Sequence, residues 1–219
     1  MRFRDRTDAA ERLATALAPW RDRHPLVLAI PRGAVPMGRL IAERLQGDFD
    51  VVLVRKLRAP FSPEFAVGAI DETGWIYVAP HARSAGADDA WIAREAAEQT
   101  RTLHARRAAY TPHRPPIDPA GRVVIVVDDG LATGATMIAA LHSVRARNPQ
   151  RLICAVPVGA PESLETVSGY ADEVVCLYAP AFFDAVGRFY AQFDQVDDEE
   201  VVALLTPRQS PNPSGRPAR

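Results

Sequence analysis

Residues 123–137, VVIVVDDGLATGATM, contain the side chains with the clearest potential for chemistry. An aliphatic run ends in two adjacent carboxylates, Asp128 and Asp129, and a loop of threonine and small residues follows. Such a loop lets backbone amides approach an anion closely, and a following helix presents its positive N-terminal end to that anion. Carboxylates repel phosphate but accept hydrogen bonds from ribose hydroxyls. The pattern predicts a site for a ribose whose 5-phosphate lies in the loop.

Other phosphate-binding motifs fit this segment less well. A P-loop requires lysine directly after its second glycine, and a dinucleotide fingerprint requires GxGxxG; the segment has neither. An aspartyl-phosphate enzyme would need a downstream lysine, and no lysine follows position 56. The remaining alternative is a plain glycine turn between a buried strand and a helix. That alternative explains Gly134 but not the paired acids.

A second group of candidate residues is cationic. Arg32 follows the first strand-like run, while Arg55, Lys56 and Arg58 follow the second. The carboxyl ends of parallel strands share one edge of a sheet, so we expect these side chains near Asp128. Cations placed in advance help a polyanionic leaving group to depart, and Mg²⁺ held by that group and by water would assist. Arg55 and Lys56 are therefore candidate catalytic residues; surface charge remains the alternative, above all for Arg58.

Lys56 is the only lysine among the 26 basic residues. A compact ammonium suits a position where a mobile point charge must follow one oxygen through a reaction. The segment that Lys56 begins, KLRAPFSPEF, contains two prolines and predicts a loop with little regular structure that closes over the site. We expect Lys56 to contact the leaving group chiefly in the transition state.

The elements that must position these residues alternate between strand and helix patterns. Short aliphatic runs predict strands at 26–30, 51–54, 123–127, 152–158 and 173–178. Helical patterns lie between them at 35–45, 136–147 and 161–170. This alternation predicts an α/β fold with an open, mainly parallel sheet flanked by helices.

Three pieces fall outside that alternation. An N-terminal helix is predicted to begin at Asp8, with Glu11 completing a capping box. Residues 65–78 predict a hairpin, with its turn at 71–74, that would form a small hood. Residues 84–110 predict a long charged helix with a solvated face.

Composition narrows the class of protein. The 219 residues are 47% hydrophobic and 24% charged, which suits one domain over 1–205, with a disordered proline-rich tail at 206–219. The longest aliphatic run, 123–127, is too short to span a bilayer, and the N-terminus does not resemble a secretory signal. A net charge of −1 gives no general attraction to nucleic acid or membrane. Cys154 and Cys176 lie in apolar runs and are expected to be reduced thiols of a cytoplasmic protein.

The segment VVIVVDDGLATGAT resembles the phosphoribosyl-pyrophosphate (PRPP) binding motif of type I phosphoribosyltransferases. The resemblance extends over essentially residues 1–205 to a group of small bacterial phosphoribosyltransferase-domain proteins. It is based on four further segments: FRDRTDAA near the N-terminus, PRGA at 31–34, VRKLRAPFSPEFAVGA at 54–69 and FDAVGRFYAQFDQVDDEEV at 183–201.

The resemblance implies that Asp128 and Asp129 bind the ribose hydroxyls of PRPP. It places the 5-phosphate on the loop formed by Ala132, Thr133, Gly134, Ala135 and Thr136. Arg32 and Gly33 match the pyrophosphate loop, which often contains a strained or cis peptide in type I enzymes, although Ala34 replaces a second glycine. The implied activity is Mg²⁺-dependent transfer of a 5-phosphoribosyl group from PRPP to a nitrogenous, nucleobase-like acceptor.

The sequence leaves the acceptor open. Several 6-oxopurine enzymes of this class have an acidic residue just before TG, whereas Ala132 occupies that position here. The resemblance places the acceptor pocket after the last strand, where an aromatic cluster comprises Phe182, Phe183, Phe189 and Tyr190. Phe182 and Phe183 are the candidate acceptor residues, because aromatic rings stack flat heterocycles. Packing that anchors the C-terminal helix is an equally weighted alternative.

The expected partners are PRPP and a small-molecule acceptor, without nucleic acid or membrane, and a homodimer is a further expectation. The alternative functions are a non-catalytic PRPP-binding regulator or sensor and a hydrolase that uses water as acceptor. Retention of Arg32, Arg55 and Lys56 favours the transferase, because pyrophosphate departure needs them more than ribose binding does. The histidines are scattered without ligand spacing, so no zinc site is predicted.

Overall fold

The computed structural model describes residues 1–112 and 114–206, apart from the side chains of Pro63 and Glu64. The tail predicted at 206–219 therefore lies outside the described residues except for Thr206. The strands are β1 (Leu26–Ala29), β2 (Asp48–Val51), β3 (Val54–Ala59), β4 (Ser62–Asp71), β5 (Ile76–Val78), β6 (Val123–Val127), β7 (Arg151–Val158) and β8 (Glu173–Tyr178). The α-helices are α1 (Arg6–Ala16), α2 (Val35–Leu45), α3 (Asp89–Tyr110), α4 (Ala135–Arg145), α5 (Pro161–Ser168) and α6 (Asp198–Leu205).

The main sheet has the strand order β2-β1-β6-β7-β8, and every neighbouring pair in it is parallel. β1 and β6 are buried along their whole length, as expected for parallel strands covered on both faces. Alternate residues of β6 enter different cores. Ile125 lies in the same core as Leu13 of α1 and Ile41 of α2, whereas Val126 lies in the same core as Met137 of α4. The predicted α/β fold with an open parallel sheet flanked by helices is confirmed.

A second sheet, antiparallel and in the order β3-β4-β5, packs against α4 on one side and α3 on the other. We call β3, β4, β5 and α3 the hood. The Nε1 atom of Trp91 in α3 donates a hydrogen bond of 2.8 Å to the carbonyl of Arg58 in β3. The predicted hairpin and long helix are thus both present, and they form one unit above the carboxyl edge of β1.

The apolar run at 51–54 does not form one strand. β2 ends at Val51, and the chain enters β3, in the other sheet, at Val54. The crossing is buried: Leu53 belongs to one core and Val52 to the other. Because both sides of this crossing are buried, its residues are all apolar, and the sequence pattern is the same as that of a buried strand.

The interpretation of KLRAPFSPEF as a loop with little regular structure is wrong. β3 extends to Ala59 and β4 begins at Ser62, so only Pro60 and Phe61 form the turn. Pro60 therefore occupies a turn position, where its missing amide leaves no ladder hydrogen bond unmade.

The first helix begins at Arg6 and not at the predicted Asp8. Asp5 caps it, because its carboxylate accepts a hydrogen bond of 2.8 Å from the amide of Asp8. Glu11 does not complete a capping box; it pairs with Arg44 of α2.

Other helix bounds differ from prediction by a few residues. α3 begins at Asp89 and not at 84, because the Asp88 carboxylate caps it through the amide of Trp91 at 2.7 Å. α4 runs from Ala135, one residue before the predicted start, and α5 ends at Ser168. In the ranges 1–112 and 114–206, no helix combines the length and apolar character needed to cross a bilayer. Cys154 and Cys176 are free thiols.

Candidate active site

The acid pair follows β6 directly, at the carboxyl end of the main sheet, and the loop that follows leads into α4. Gly134 precedes α4 with a φ of 76°, a left-handed conformation that favours glycine. Two contacts hold the loop against its neighbours. The amide of Leu131 donates to the carbonyl of Val158 at 2.9 Å, and the Ser163 hydroxyl donates to the carbonyl of Ala132 at 2.5 Å. The loop is therefore attached to both β7 and α5.

A cavity of about 250 Å³ opens above this loop. It brings together eight of the residues predicted for the site: Gly33, Lys56, Asp128, Asp129, Ala132, Thr133, Gly134 and Thr136. Ala135 lies behind them as the buried first residue of α4. We call this space the acid-pair cavity.

The two carboxylates of the cavity differ in their partners. Asp128 accepts a hydrogen bond of 2.9 Å from the amide of Asp129, whereas Asp129 is bound by Arg6 of α1. Burial, followed by the charge of Asp129, raises the pKa of Asp128 well above its ordinary value. Burial also raises the pKa of Asp129, and the charge and hydrogen bonds of Arg6 oppose that rise. Hydroxyl donors of a ligand would stabilise both ionised carboxylates.

The loop after β1 places Gly33 against the acid pair, whereas Arg32 of the same loop lies near α6. The Pro31–Arg32 peptide bond is cis. A Cβ added to Gly33 would lie 2.1 Å from Oδ2 of Asp129, so glycine permits the close approach of this loop to the acid pair. The Arg32 guanidinium lies 3.8 Å from the Asp198 carboxylate of α6. Arg32 is not among the residues that line the acid-pair cavity or the neighbouring cavity described next, and its role in binding PRPP stays a prediction.

A second cavity, of about 420 Å³, lies under the hood. Its lining comprises Pro31, Val54, Arg55, Lys56, Arg58, Arg106 and Thr136. Arg55 is oriented by Gln99 of α3, whose Oε1 accepts its Nε hydrogen at 2.9 Å. Burial, then the charges of Arg106 and Arg58, lower the pKa of Arg55. We call this space the cationic cavity, and a polyanion is the ligand that its charges favour.

The predicted acceptor residues are not brought to either cavity. Phe182 is 93% exposed, and Phe183 packs against Phe189 with 5.2 Å between ring centroids. Val186, from the same segment, lines the acid-pair cavity instead. The role of Phe182 and Phe183 in binding an acceptor stays a prediction.

Sequence reasoning missed two arginines that the fold places at the site. Arg6 binds Asp129 across 123 residues of chain, a contact for which the sequence has no local signal. The charge pattern of the long helix assigns Arg106 to its solvated face, yet Arg106 lines the cationic cavity. Its position seven residues after Gln99 puts both on one face of α3, and that spacing is the signal that could have found it.

The described residues contain no group of three or more His, Cys, Asp or Glu side chains that could hold a metal ion. Mg²⁺ in proteins is usually bound by one or two carboxylates together with phosphate oxygens of a substrate and water. A bound ligand would have to supply the remaining oxygen atoms around Mg²⁺.

Comparison with known proteins identifies the class. The family model of the phosphoribosyl transferase domain matches residues 5–194, and the chain belongs to this family. The resemblance stated from the sequence is confirmed.

Individual relatives agree with that assignment. Over 205 residues the chain is 42% identical to the provisionally named phosphoribosyl transferase Rv0571c of Mycobacterium tuberculosis, covering 93% of this chain and 46% of that protein. It is 36% identical over 138 residues to a uracil phosphoribosyltransferase of Natronomonas pharaonis, covering 61% of this chain and 55% of that protein. The chain thus spans about half the length of these curated relatives.

A solved structure extends the likeness to the whole domain. The crystal structure of TT1426 from Thermus thermophilus is 48% identical in sequence, with a TM-score of 0.78. The alignment covers 94% of this chain and 98% of that chain. This chain therefore shares its fold with a relative of nearly the same extent.

Proposed function

We propose that this protein transfers a 5-phosphoribosyl group from PRPP to a nitrogenous, nucleobase-like acceptor and releases pyrophosphate. The observation that supports this most is the pairing of two adjoining cavities of opposite character. The acid-pair cavity and the cationic cavity share Pro31, Lys56 and Thr136 in their linings. A ligand with hydroxyls at one end and a diphosphate at the other matches both.

In this proposal the acid pair binds the ribose. Asp128 and Asp129 accept hydrogen bonds from the two ribose hydroxyls, and the loop from Ala132 to Thr136 receives the 5-phosphate. The loop offers backbone amides and the start of α4, where the helix dipole favours an anion. The hydroxyls of Thr133 and Thr136 add donors.

The cationic cavity acts on the leaving group. The bond between C1 of the ribose and the pyrophosphate oxygen breaks, and its electron pair departs with pyrophosphate. A bond forms between C1 and the acceptor nitrogen, which loses a proton. Arg55 and Lys56 line this cavity and stabilise the negative charge that develops on the departing oxygen, with Arg55 held in position by Gln99 before the reaction starts.

Mg²⁺ is proposed only as an ion that arrives with the diphosphate. When bound there, it would neutralise part of the diphosphate charge. No residue of the described chain is assigned as its ligand.

The test is incubation of the protein with PRPP, Mg²⁺ and a panel of nitrogenous bases, with release of pyrophosphate as the readout. Release that requires one base supports the proposal and identifies the acceptor. Release without any base would make the protein a hydrolase. PRPP binding without release under every condition would make it a non-catalytic sensor or regulator, and either outcome contradicts transferase activity.

A further inference from the structure

Arg6 makes the most extensive side-chain contact with the acid pair. Its Nε and Nη2 atoms donate hydrogen bonds of 3.0 and 2.8 Å to the same oxygen, Oδ2, of Asp129. Both side chains are largely buried, with 13% of Arg6 and 16% of Asp129 exposed. Because both hydrogen bonds reach Oδ2, the second carboxylate oxygen stays available to a ligand.

The guanidinium is held on its other sides as well. Its Nη1 atom donates to the carbonyl of Asp194 at 2.5 Å, and the Phe193 ring lies 3.9 Å from the guanidinium carbon. A planar guanidinium can satisfy these contacts together, whereas a lysine ammonium would keep only the charge and part of the hydrogen bonding. Arg6 therefore has a defined orientation before any ligand binds.

The segments around Arg6 reach Asp129 by a second route. The Tyr190 hydroxyl donates a hydrogen bond of 2.6 Å to the carbonyl of Asp129. Tyr190 packs on Phe3 with 5.5 Å between ring centroids, and the amide of Phe3 donates to the carbonyl of Phe189 at 2.7 Å. The residues before α1 and those around Tyr190 thus contact Asp129 through both its backbone and its side chain.

We propose that Arg6 is a positioning residue for Asp129: it orients one carboxylate oxygen, leaves the other for a ribose hydroxyl, and maintains the negative charge beside Asp128. This inference rests on the proposed function, because the ribose is the proposed partner of that carboxylate. Arg6 itself touches neither the ribose nor the pyrophosphate. It acts through Asp129.

The contact between Arg6 and Asp129 affects ligand binding because it changes the ionisation of the Asp129 carboxyl. The groups that face Asp129 are Asp128, Arg6 from α1, Lys56 from β3 and the Tyr190 hydroxyl. Burial opposes ionisation of Asp129, whereas Arg6 and Lys56 favour it. Loss of Arg6 raises the pKa of Asp129 further. At a given pH a smaller fraction of Asp129 is then ionised, and raising the pH restores the carboxylate.

The experiment compares wild type with Arg6→Met, Arg6→Lys and a matched control, Arg12→Met. Arg12 lies on the same helix, pairs with Asp8 and has a side chain that is 44% exposed. PRPP affinity is measured by calorimetry from neutral to alkaline pH. We expect Arg6→Met to bind PRPP about 10-fold more weakly at neutral pH and to recover at alkaline pH. Arg6→Lys should lose less PRPP affinity than Arg6→Met, and Arg12→Met should bind PRPP with the affinity of wild type.

The outcomes separate this inference from the proposed function. If wild-type protein does not bind PRPP, the proposed function fails, whatever the variants do. If wild type binds and Arg6→Met has the same affinity, the positioning role is overturned. A loss that is equal at every pH, or that follows a loss of folded protein in circular dichroism, also overturns it and leaves Arg6 with a structural role. Partial rescue in Arg6→Lys together with a shifted pH profile supports the proposal.

Discussion

Gly33→Ala tests the geometry of the site with the smallest possible change. The added Cβ would lie 2.1 Å from Oδ2 of Asp129 and 3.1 Å from Nη2 of Arg6. Ordinary contacts of a Cβ begin at 3.4 Å, so the carboxylate or the loop after β1 must move by more than 1 Å. Both neighbours are the polar atoms of the Arg6–Asp129 pair. The substitution therefore acts on the site and leaves the main core unchanged.

The expected loss of PRPP affinity and of stability in Gly33→Ala can be estimated from the contacts that the added Cβ would disrupt. A hydrogen bond to a charged group contributes about 1.5–3 kcal/mol, and crowding one carbon into a packed site costs about 1–3 kcal/mol. If the carboxylate loses one of its two bonds to Arg6 and its alignment with the ribose, about 2 kcal/mol of PRPP binding is lost, or roughly 30-fold in affinity. We expect the free energy of unfolding to fall by about 1–3 kcal/mol.

Calorimetric titration with PRPP and Mg²⁺ measures the affinity, and thermal unfolding measures stability. Gly169→Ala is the matched control, because its added Cβ would meet only the carbonyl of Thr166, at 3.5 Å, and its φ of −72° suits alanine. The control should bind PRPP as wild type does. Wild-type affinity in Gly33→Ala would refute the packing of Gly33 against the acid pair.

Three further predictions concern charge. Lys56→Arg should lower turnover by about 10-fold or more in steady-state kinetics while leaving PRPP affinity nearly unchanged, and wild-type turnover would contradict the transition-state role. Arg106→Gln should weaken binding of inorganic pyrophosphate about 10-fold in calorimetry, since it removes one cation of the cationic cavity; an unchanged affinity would place the pyrophosphate elsewhere. Burial raises the pKa of Asp128 above its unfolded value, so the folded protein holds this proton more tightly than the unfolded chain and loses stability as pH rises from the unfolded pKa to the raised one. Asp128→Asn should therefore raise the melting temperature at neutral pH by about 2 °C or more, with the gain shrinking as pH falls through the raised pKa; a lower melting temperature would contradict this.

Much of the main sheet and of the acid-pair cavity could be predicted from local sequence. β6 is a fully buried aliphatic run, and the acids and Gly134 follow it directly, so strand, site and helix start lie in one continuous segment. The relative positions of this strand, the acid pair and the helix start are therefore set by residues that are close together in the sequence. That is why the predicted loop residues lie together in the structure. Gly33 is remote in sequence and joins them because β1 and β6 are neighbouring parallel strands whose carboxyl ends share one edge of the sheet.

The strand β3 of the hood and the contact made by Arg6 could not be predicted in the same way. The two prolines of KLRAPFSPEF indicate a loop by local propensity, but antiparallel pairing of β3 with β4 determines the structure there. The contact between Arg6 and Asp129 joins α1 to the end of β6 and depends on the complete fold. Local patterns report helix and strand periodicity, and they contain no information on which distant side chains meet.

Binding of the PRPP ribose by the acid pair is the step on which the proposed function depends most. Calorimetric titration of wild type and of the double variant Asp128→Asn with Asp129→Asn, both with PRPP and Mg²⁺, tests it most directly. Each charged hydrogen bond contributes about 1.5–3 kcal/mol, so we predict saturable binding to wild type and an affinity at least about 10-fold lower in the folded variant. Equal affinity of the two proteins would contradict ribose binding by these carboxylates.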